Sequence, residues 1–312
     1  MPTTTSVRRA LVAVVASAVA LAAAAVPAVA APHTASVGRA GSLRLDDSAR
    51  LAYQKDVAVR VLKGVFEKGD VSVVDRYVRS DYIQHNPGAA DGSEALKNVG
   101  TALHQQFPDL KYEVQRVTSE GDLVLVHSNV VLTPGSRGSA VFDIFRFQGG
   151  KIAEHWDTIQ DVPETTANGN GMFSTLSRPQ TQEPTQHLLT EDNKKLVVKA
   201  FDELIVGKDV SAIDRYFGPE YKEHSANSTD GVAGVKAALG GFFTAYPQLE
   251  VQPKRVIAEG DLVAVHSHYI PAPGERGLAI VDLFRVRGGK IVEHWDVIQN
   301  VPATSANDNT MF

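Results

Sequence analysis

The chain of 312 residues has no cysteine. That excludes a thiol nucleophile, disulfides, a thiolate zinc site and a lipid-modified N-terminal cysteine, so any metal would have to be held by His, Asp and Glu alone. Excess base is also missing: 31 Lys and Arg stand against 36 Asp and Glu, giving a formal charge of −5. With no electrostatic footprint for a polyanion, nucleic-acid binding is not expected. The alanine-rich run from Ala10 to Ala25 falls short of the roughly 20 residues that a membrane span needs. What is present, 43% apolar and 21% charged residues, is ordinary globular composition with length enough for two domains.

Arg8 and Arg9, the apolar run and then Ala28-Val29-Ala30 form the pattern of a cleaved signal peptide over residues 1–30. The arginine pair leaves Sec and twin-arginine export both open. The mature chain is expected to be secreted or to reside in the cell envelope, with no membrane contact after cleavage. Loss of Arg8 and Arg9 would take the charge from −5 to −7. Without disulfides, its stability must come from packed cores.

The chain is one domain written twice. His85 and His224, Asp143 and Asp282, and His155 and His294 are each 139 residues apart, so residues 55–173 align with 194–312 without a gap. Roughly two in five aligned positions are identical, and the period is far too long for a solenoid. The domains are expected at 51–173 and 191–312, with a flexible arm at 31–50 and a polar, proline-bearing linker at 174–190. Each copy reads as three helices followed by four strands. In the first copy the helices are 50–68, Asp70–Val78 and one capped by Asp91 and ended by Pro108; the strands are Lys111–Ser119, Leu123–Leu132, Ala140–Phe147 and Ile152–Ile159. Such a sheet must bury one face against the helices, which makes an α+β domain able to wrap a pocket.

Alternation along the third strand puts Asp143 on one face with Val141, Phe145 and Phe147; Asp282 is matched by Phe284. A carboxylate on an apolar face needs partners or a raised pKa, so it reads either as a general base or as a structurally satisfied group. His127 and His266 on the neighbouring strand are the expected partners. His268 exists only in the second copy, where Asn129 stands in the first, so no metal site is expected. His85 and His224, in the loop after the second helix, are placed near the pocket mouth, with Tyr82 and Tyr221 three residues earlier. On the last strand Trp156 and Trp295 are read as pocket walls with Gln160 and Gln299 beyond them, leaving His155 and Asp157 on the outer face.

Five stretches, QHNP at 84–87, GDLVLVHS at 121–128, FDIFR at 142–146, GGKIAEHWDTIQ at 149–160 and the terminal NGNGMF, recur in the second copy with few changes. They resemble the nuclear transport factor 2-like (NTF2-like) superfamily, and within it the SnoaL-like group related to polyketide cyclases and aldol condensation. The resemblance implies two tandem cone-shaped α+β domains, each with three N-terminal helices and a curved, mostly antiparallel four-stranded sheet enclosing an apolar pocket. It also implies pairing through the outer sheet face and acid–base chemistry without a cofactor. The similar cyclases usually carry an acid a few residues beyond the tryptophan, where this chain has Gln160 and Gln299. An amide cannot be a general base, so that role passes to Asp143 and Asp282 or to the histidines.

The expected function is therefore cyclisation, isomerisation or aldol-type proton transfer on a small apolar carbonyl compound. Asp143 and Asp282 would be bases; His127, His266, His85 and His224 would polarise or donate. The alternative is a ligand-binding or protein-interaction module on the same fold. The two domains are expected to form an internal pseudo-dimer.

Overall fold

The computed structural model describes residues 43–176 and 189–312. The signal peptide, most of the arm and most of the linker lie outside these residues. Among the described residues no helix is long and apolar enough to cross a membrane.

In the first domain, helix α1 spans Leu43–Leu62, beginning inside the range read as arm, and continues into a π-helical turn, Lys63–Glu67. Helix α2 is Ser72–Tyr77. Its N-cap is Val71, and Asp70 just before it accepts from the Ser72 amide at 3.1 Å. Strand β1 then runs Val78–Gln84, helix α3 Ser93–Gln106, and the meander β2 to β5 occupies Lys111–Glu120, Leu123–Val131, Ser139–Gln148 and Lys151–Asp161. The second domain repeats this with α4 (Thr190–Phe201), a π turn (Asp202–Val206), α5 (Ala212–Tyr216), β6 (Phe217–Glu223) and α6 (Gly231–Ala245). Its meander is β7 (Glu250–Glu259), β8 (Leu262–Ile270), β9 (Leu278–Arg287) and β10 (Lys290–Asn300).

Each sheet has five strands, not four, ordered β1-β5-β4-β3-β2 and β6-β10-β9-β8-β7. The extra strand lies between the second and third helices and pairs in parallel with the last one. Its polar composition (VRSDYIQ, and FGPEYKE with a proline) hides it from a period-two reading. An edge strand tolerates both features, because one row of its backbone groups needs no ladder partner. Asp91, expected to cap α3, instead accepts from the Gln84 amide at 2.7 Å and ties down the end of β1.

The concave face of the first sheet packs on the helices through a core that includes Val57, Val61, Tyr82, Tyr112, Val124, Val126 and Phe145. The convex faces of the two sheets bury each other: Leu125, Phe142, Ile144 and Trp156 pack with Ala264, Val281, Leu283 and Trp295. Contacts across this interface repeat with the 139-residue offset. Gln299 Oε1 accepts from the Ile159 amide and Gln160 Oε1 from the Ile298 amide, both at 2.8 Å. Glu259 accepts from the Ser119 amide at 2.7 Å and pairs with Lys55, while Glu120 accepts from the Ala258 amide at 2.9 Å and pairs with Lys194.

Candidate functional site

Strand register decides which side chains meet. Asp143 on β4 lies opposite Val126 on β3 and Asp157 on β5, and Phe145 lies opposite His155. His155 and Asp157 therefore share the concave face with Asp143, and Trp156 points the other way, which reverses the expected assignment. A β-bulge is the cause. Gln148 pairs with Lys151 and Phe147 with Ile152, but Arg146 pairs with Glu154, leaving Ala153 as an extra residue. One added residue turns every later side chain to the opposite face. Val292 is the extra residue in the second copy.

A closed polar network results. Tyr112 donates its hydroxyl to Asp143 Oδ2 at 2.6 Å, and His155 Nε2 lies 3.0 Å from Asp143 Oδ1. His155 Nδ1 lies 2.9 Å from Gln84 Oε1. That oxygen also accepts from the Asn86 amide at 2.9 Å, so the ring nitrogen facing it must donate. Gln84 Nε2 donates to Tyr82 Oη at 3.0 Å, and Asn86 Nδ2 donates to Asp157 Oδ2 at 2.6 Å. Asp157 Oδ1 is buried and has no hydrogen-bond partner among the described residues.

The second copy keeps the His–Asp pair, takes the tyrosine on its aspartate from β8 where the first copy uses β2, and changes the charge. His294 Nε2 lies 3.0 Å from Asp282 Oδ1, and the Tyr269 hydroxyl donates to Asp282 Oδ2 at 3.3 Å. In place of Gln84 stands Glu223, whose Oε1 lies 2.9 Å from His294 Nδ1 and whose Oε2 accepts from Tyr221 at 2.7 Å. His294 is thus held between two carboxylates. Asp296 matches Asp157, again with a buried Oδ1 that has no partner among the described residues.

Burial and charge tune these groups. Burial pushes the Asp157 carboxyl up; His155 draws it down and Asp143 raises it further, leaving it at about 6. Burial, with the charges of Asp282 and Glu223, lifts Asp296 to about 7 against the pull of His294. For His155, burial disfavours the cation, but the bond to Asp143 and the charges of Asp157 and Asp143 outweigh it and raise its pKa. The same opposition, with Glu223 as the strongest raising influence, puts His294 well above its ordinary range. Tyr82, Tyr112, Tyr221 and Tyr269 are pushed up, first by burial, and stay protonated as donors.

Asp143, His155 and Asp157, and likewise Asp282, His294 and Asp296, each offer one ligand atom, all within 4.8 Å. As folded, His155 Nδ1 donates to Gln84 and Nε2 is hydrogen-bonded to Asp143, so a cation would have to displace that bond.

The other expected site residues lie on the convex side. His127 is opposite Phe142, not beside Asp143, and its Nδ1 lies 3.1 Å from an Arg116 guanidinium nitrogen. Burial, then the Arg116 charge, holds its pKa well below the ordinary value. His266 pairs likewise with Arg255 at 2.9 Å and is lowered to about 3 by burial and that charge. His85 stacks on Trp156 at 4.6 Å and bonds Glu154 at 2.8 Å; His224 stacks on Trp295 at 4.9 Å and bonds Glu293 at 3.1 Å. Trp156 and Trp295 are interface residues, their opposite ring faces covered by Arg255 and Arg116 of the other domain. Gln160 and Gln299 are the interface acceptors already described. Of the expected residues, the concave side brings together Asp143, Tyr82 and Phe145, and in the second copy Asp282, Tyr221 and Phe284. Phe145 stacks on His155 and Phe284 on His294, both at 4.8 Å. Alternation along the strands misses His155, Asp157, Tyr112 and Gln84 as site residues. The EHWD run, identical in both copies, carries a signal for two of them.

The family model for the SnoaL-like domain matches residues 58–155 and 198–294. Among solved structures, the chain is similar to a proposed polyketide cyclase from Acidithiobacillus ferrooxidans, at 19% identity over 34% of this chain and 87% of that one, with a TM-score of 0.30. A proposed SnoaL-like polyketide cyclase from Jannaschia sp. CCS1 is 22% identical over 38% and 91%, with a TM-score of 0.32. A proposed ketosteroid isomerase from Kribbella flavida is 19% identical over 36% and 82%, also at 0.32. No curated protein matches the chain. Since the family model covers more than half of the residues, in two regions that end at His155 and His294 and so stop short of Asp157 and Asp296, the chain belongs to the SnoaL-like domain family as a tandem pair.

Proposed function

We propose that the chain is an enzyme of acid–base proton transfer next to a carbonyl group, acting on a small apolar compound with its own side chains. The observation that carries this reading is the buried Oδ1 of Asp157 and of Asp296, without a hydrogen-bond partner among the described residues, on carboxyls at about 6 and about 7 beside a hydrogen-bonded His–Asp pair. A general base works best with a pKa near the operating pH. In this scheme Asp157 takes the proton from the carbon beside the carbonyl, the electron pair moves to the carbonyl oxygen, and the proton returns to the same carbon or a conjugated one. Asp143, held by Tyr112 and His155, keeps the imidazole charged and oriented; that cation offsets the negative charge that builds up on the enolate. The base is thus assigned to Asp157 and Asp296, with Asp143 and Asp282 behind them.

Isomerisation, cyclisation and aldol-type steps all share this enolisation. The test is deuterium uptake by a panel of small apolar ketones in D2O, followed by NMR. The intact chain should exchange protons beside the carbonyl, and Asp157→Asn with Asp296→Asn should lose at least about a thousandfold of that rate. Exchange undiminished in the double variant would overturn the assignment.

A second reading, a non-catalytic module, is favoured by burial: Asp143 is 2% exposed and His155 and Asp157 are each 7% exposed. It predicts no exchange with any ketone. Export rests on the N-terminal address, and the internal pseudo-dimer is supported by the offset-related contacts of the convex faces; both belong to this proposal.

A further inference from the structure

Each site depends on a loop that belongs to one domain and is fastened by the other. In the first domain that loop follows β1. It starts after Gln84, the last residue of β1, which faces His155 Nδ1, and it carries Asn86, which donates to Asp157 Oδ2. Its backbone carbonyls point to the segment after β10. Asn307 Nδ2 donates to Asn86 O at 2.8 Å and Ala89 O at 2.7 Å, and the Ala306 amide to Pro87 O at 2.8 Å. Asn309 Nδ2 donates to Gln84 O at 3.0 Å and to Asp91 Oδ1 at 2.8 Å. The same oxygen of Asp91 receives the Gln84 amide.

The contacts recur in the other direction. Asn168 Nδ2 donates to Ser225 O at 2.6 Å and Ser228 O at 3.0 Å, the Ala167 amide to Ala226 O at 2.9 Å, and Asn170 Nδ2 to Glu223 O at 2.8 Å. All of these amide-to-loop bonds cross from one domain to the other. Each fastening segment is folded on itself so as to present its amides: Asn309 N donates to Asn307 Oδ1 at 3.0 Å, and Asn170 N to Asn168 Oδ1 at 2.8 Å.

We infer that the two sites are completed crosswise: Asn307 and Asn309 are positioning residues for the first site, and Asn168 and Asn170 for the second. On the proton-transfer reading above, neither domain alone would hold its proton-transfer carboxyl in place. The fastening acts through the loop's own carbonyls. Asn86 O, for instance, receives Asn307 at 2.8 Å and the Ala89 amide at 3.2 Å. An alanine at these asparagines therefore loosens the loop while leaving the sheet and the concave core untouched.

The test uses the full chain with 13C-labelled aspartate, reading the carboxyl titrations of Asp157 and Asp296. The groups facing Asp157 are Asp143 on β4, His155 on β5, Tyr82 on β1 and Tyr112 on β2; those facing Asp296 are Asp282, His294, Glu223, Tyr221 and Tyr269. The Asn86 bond draws the Asp157 carboxyl down. Asn307→Ala with Asn309→Ala should therefore raise the Asp157 midpoint by about one unit and leave Asp296 in place. Asn168→Ala with Asn170→Ala should move Asp296 alone. A shift in the substituted domain's own site, equal shifts in both sites, or no shift in either would overturn the crosswise assignment. Should a double variant unfold, the same comparison on Asn307→Ala and Asn168→Ala singly decides the question by the same outcomes. Ketone exchange is scored separately, so a chain without exchange but with the crosswise titration pattern would sink the enzymatic reading and keep this one.

Discussion

Asp143 and Asp157 stand directly opposite one another on adjacent antiparallel strands, and His155 bonds the first of them at 3.0 Å. Two carboxylates at one cross-strand position repel. The imidazolium offsets one charge; burial first, and then the like charge of Asp143, make the other carboxyl, whose Oδ1 has no partner among the described residues, hold its proton to about pH 6.

Asp157→Asn should stabilise the fold at alkaline pH. An unfolded aspartate ionises near 3.8 and the folded one near 6, so the folded state loses stability as pH rises from about 4 to about 6, and the loss is complete above that. Removing the charge should recover about 1–3 kcal/mol at pH 8 and nothing below pH 4. Thermal unfolding at the two pH values checks it; equal effects at both would contradict it.

The two sites should titrate apart because of one residue. Glu223→Gln removes one of the two carboxylates on His294, so the His294 pKa should fall toward that of His155. Gln84→Glu should raise His155 in return. Imidazole 15N shifts across pH 6–10 measure both, and unmoved midpoints would show that Glu223 is not an effective counter-charge.

Tyr112→Phe leaves Asp143 Oδ2 without its 2.6 Å donor and should cost about 2 kcal/mol in urea unfolding. Tyr269→Phe, which removes a 3.3 Å bond, should cost less. The two tyrosines come from different strands, β2 and β8, and the reverse order would contradict the ranking by bond length.

Gln160→Ala strips the Ile298 amide of its acceptor inside the interface, at about 1–2 kcal/mol, and Gln299→Ala should cost a similar amount through Ile159. A native mass of one chain in both variants and in the parent is expected if the convex faces satisfy each other within the chain.

The duplication is plain from the gapless 139-residue offset, and the meander strands from alternation and from turns such as Gly149-Gly150, both at positive φ. The site is only half legible. The two-residue Gly149-Gly150 turn by itself would set Trp156 across from Asp143. The bulge at Ala153 sets Asp157 there instead, and nothing in the alternation of KIAEHWD marks an extra residue. Alternation misplaces His127 because the β3–β4 register depends on the geometry of the loop around Pro134-Gly135. Gln84 escapes notice because its strand is a polar edge that reads as loop. The crosswise contacts of Asn307 and Asn309 join residues more than 200 positions apart, which local pattern does not reach.

The most direct test is the titration of the two carboxyls themselves in the intact chain, by 13C NMR from pH 3 to 9. Poised bases require midpoints at about 6 for Asp157 and about 7 for Asp296. Midpoints near the ordinary value of about 3.9 for both would contradict the proton-transfer role, because carboxyls that ionise freely there are neither buried against a like charge nor poised to move a proton.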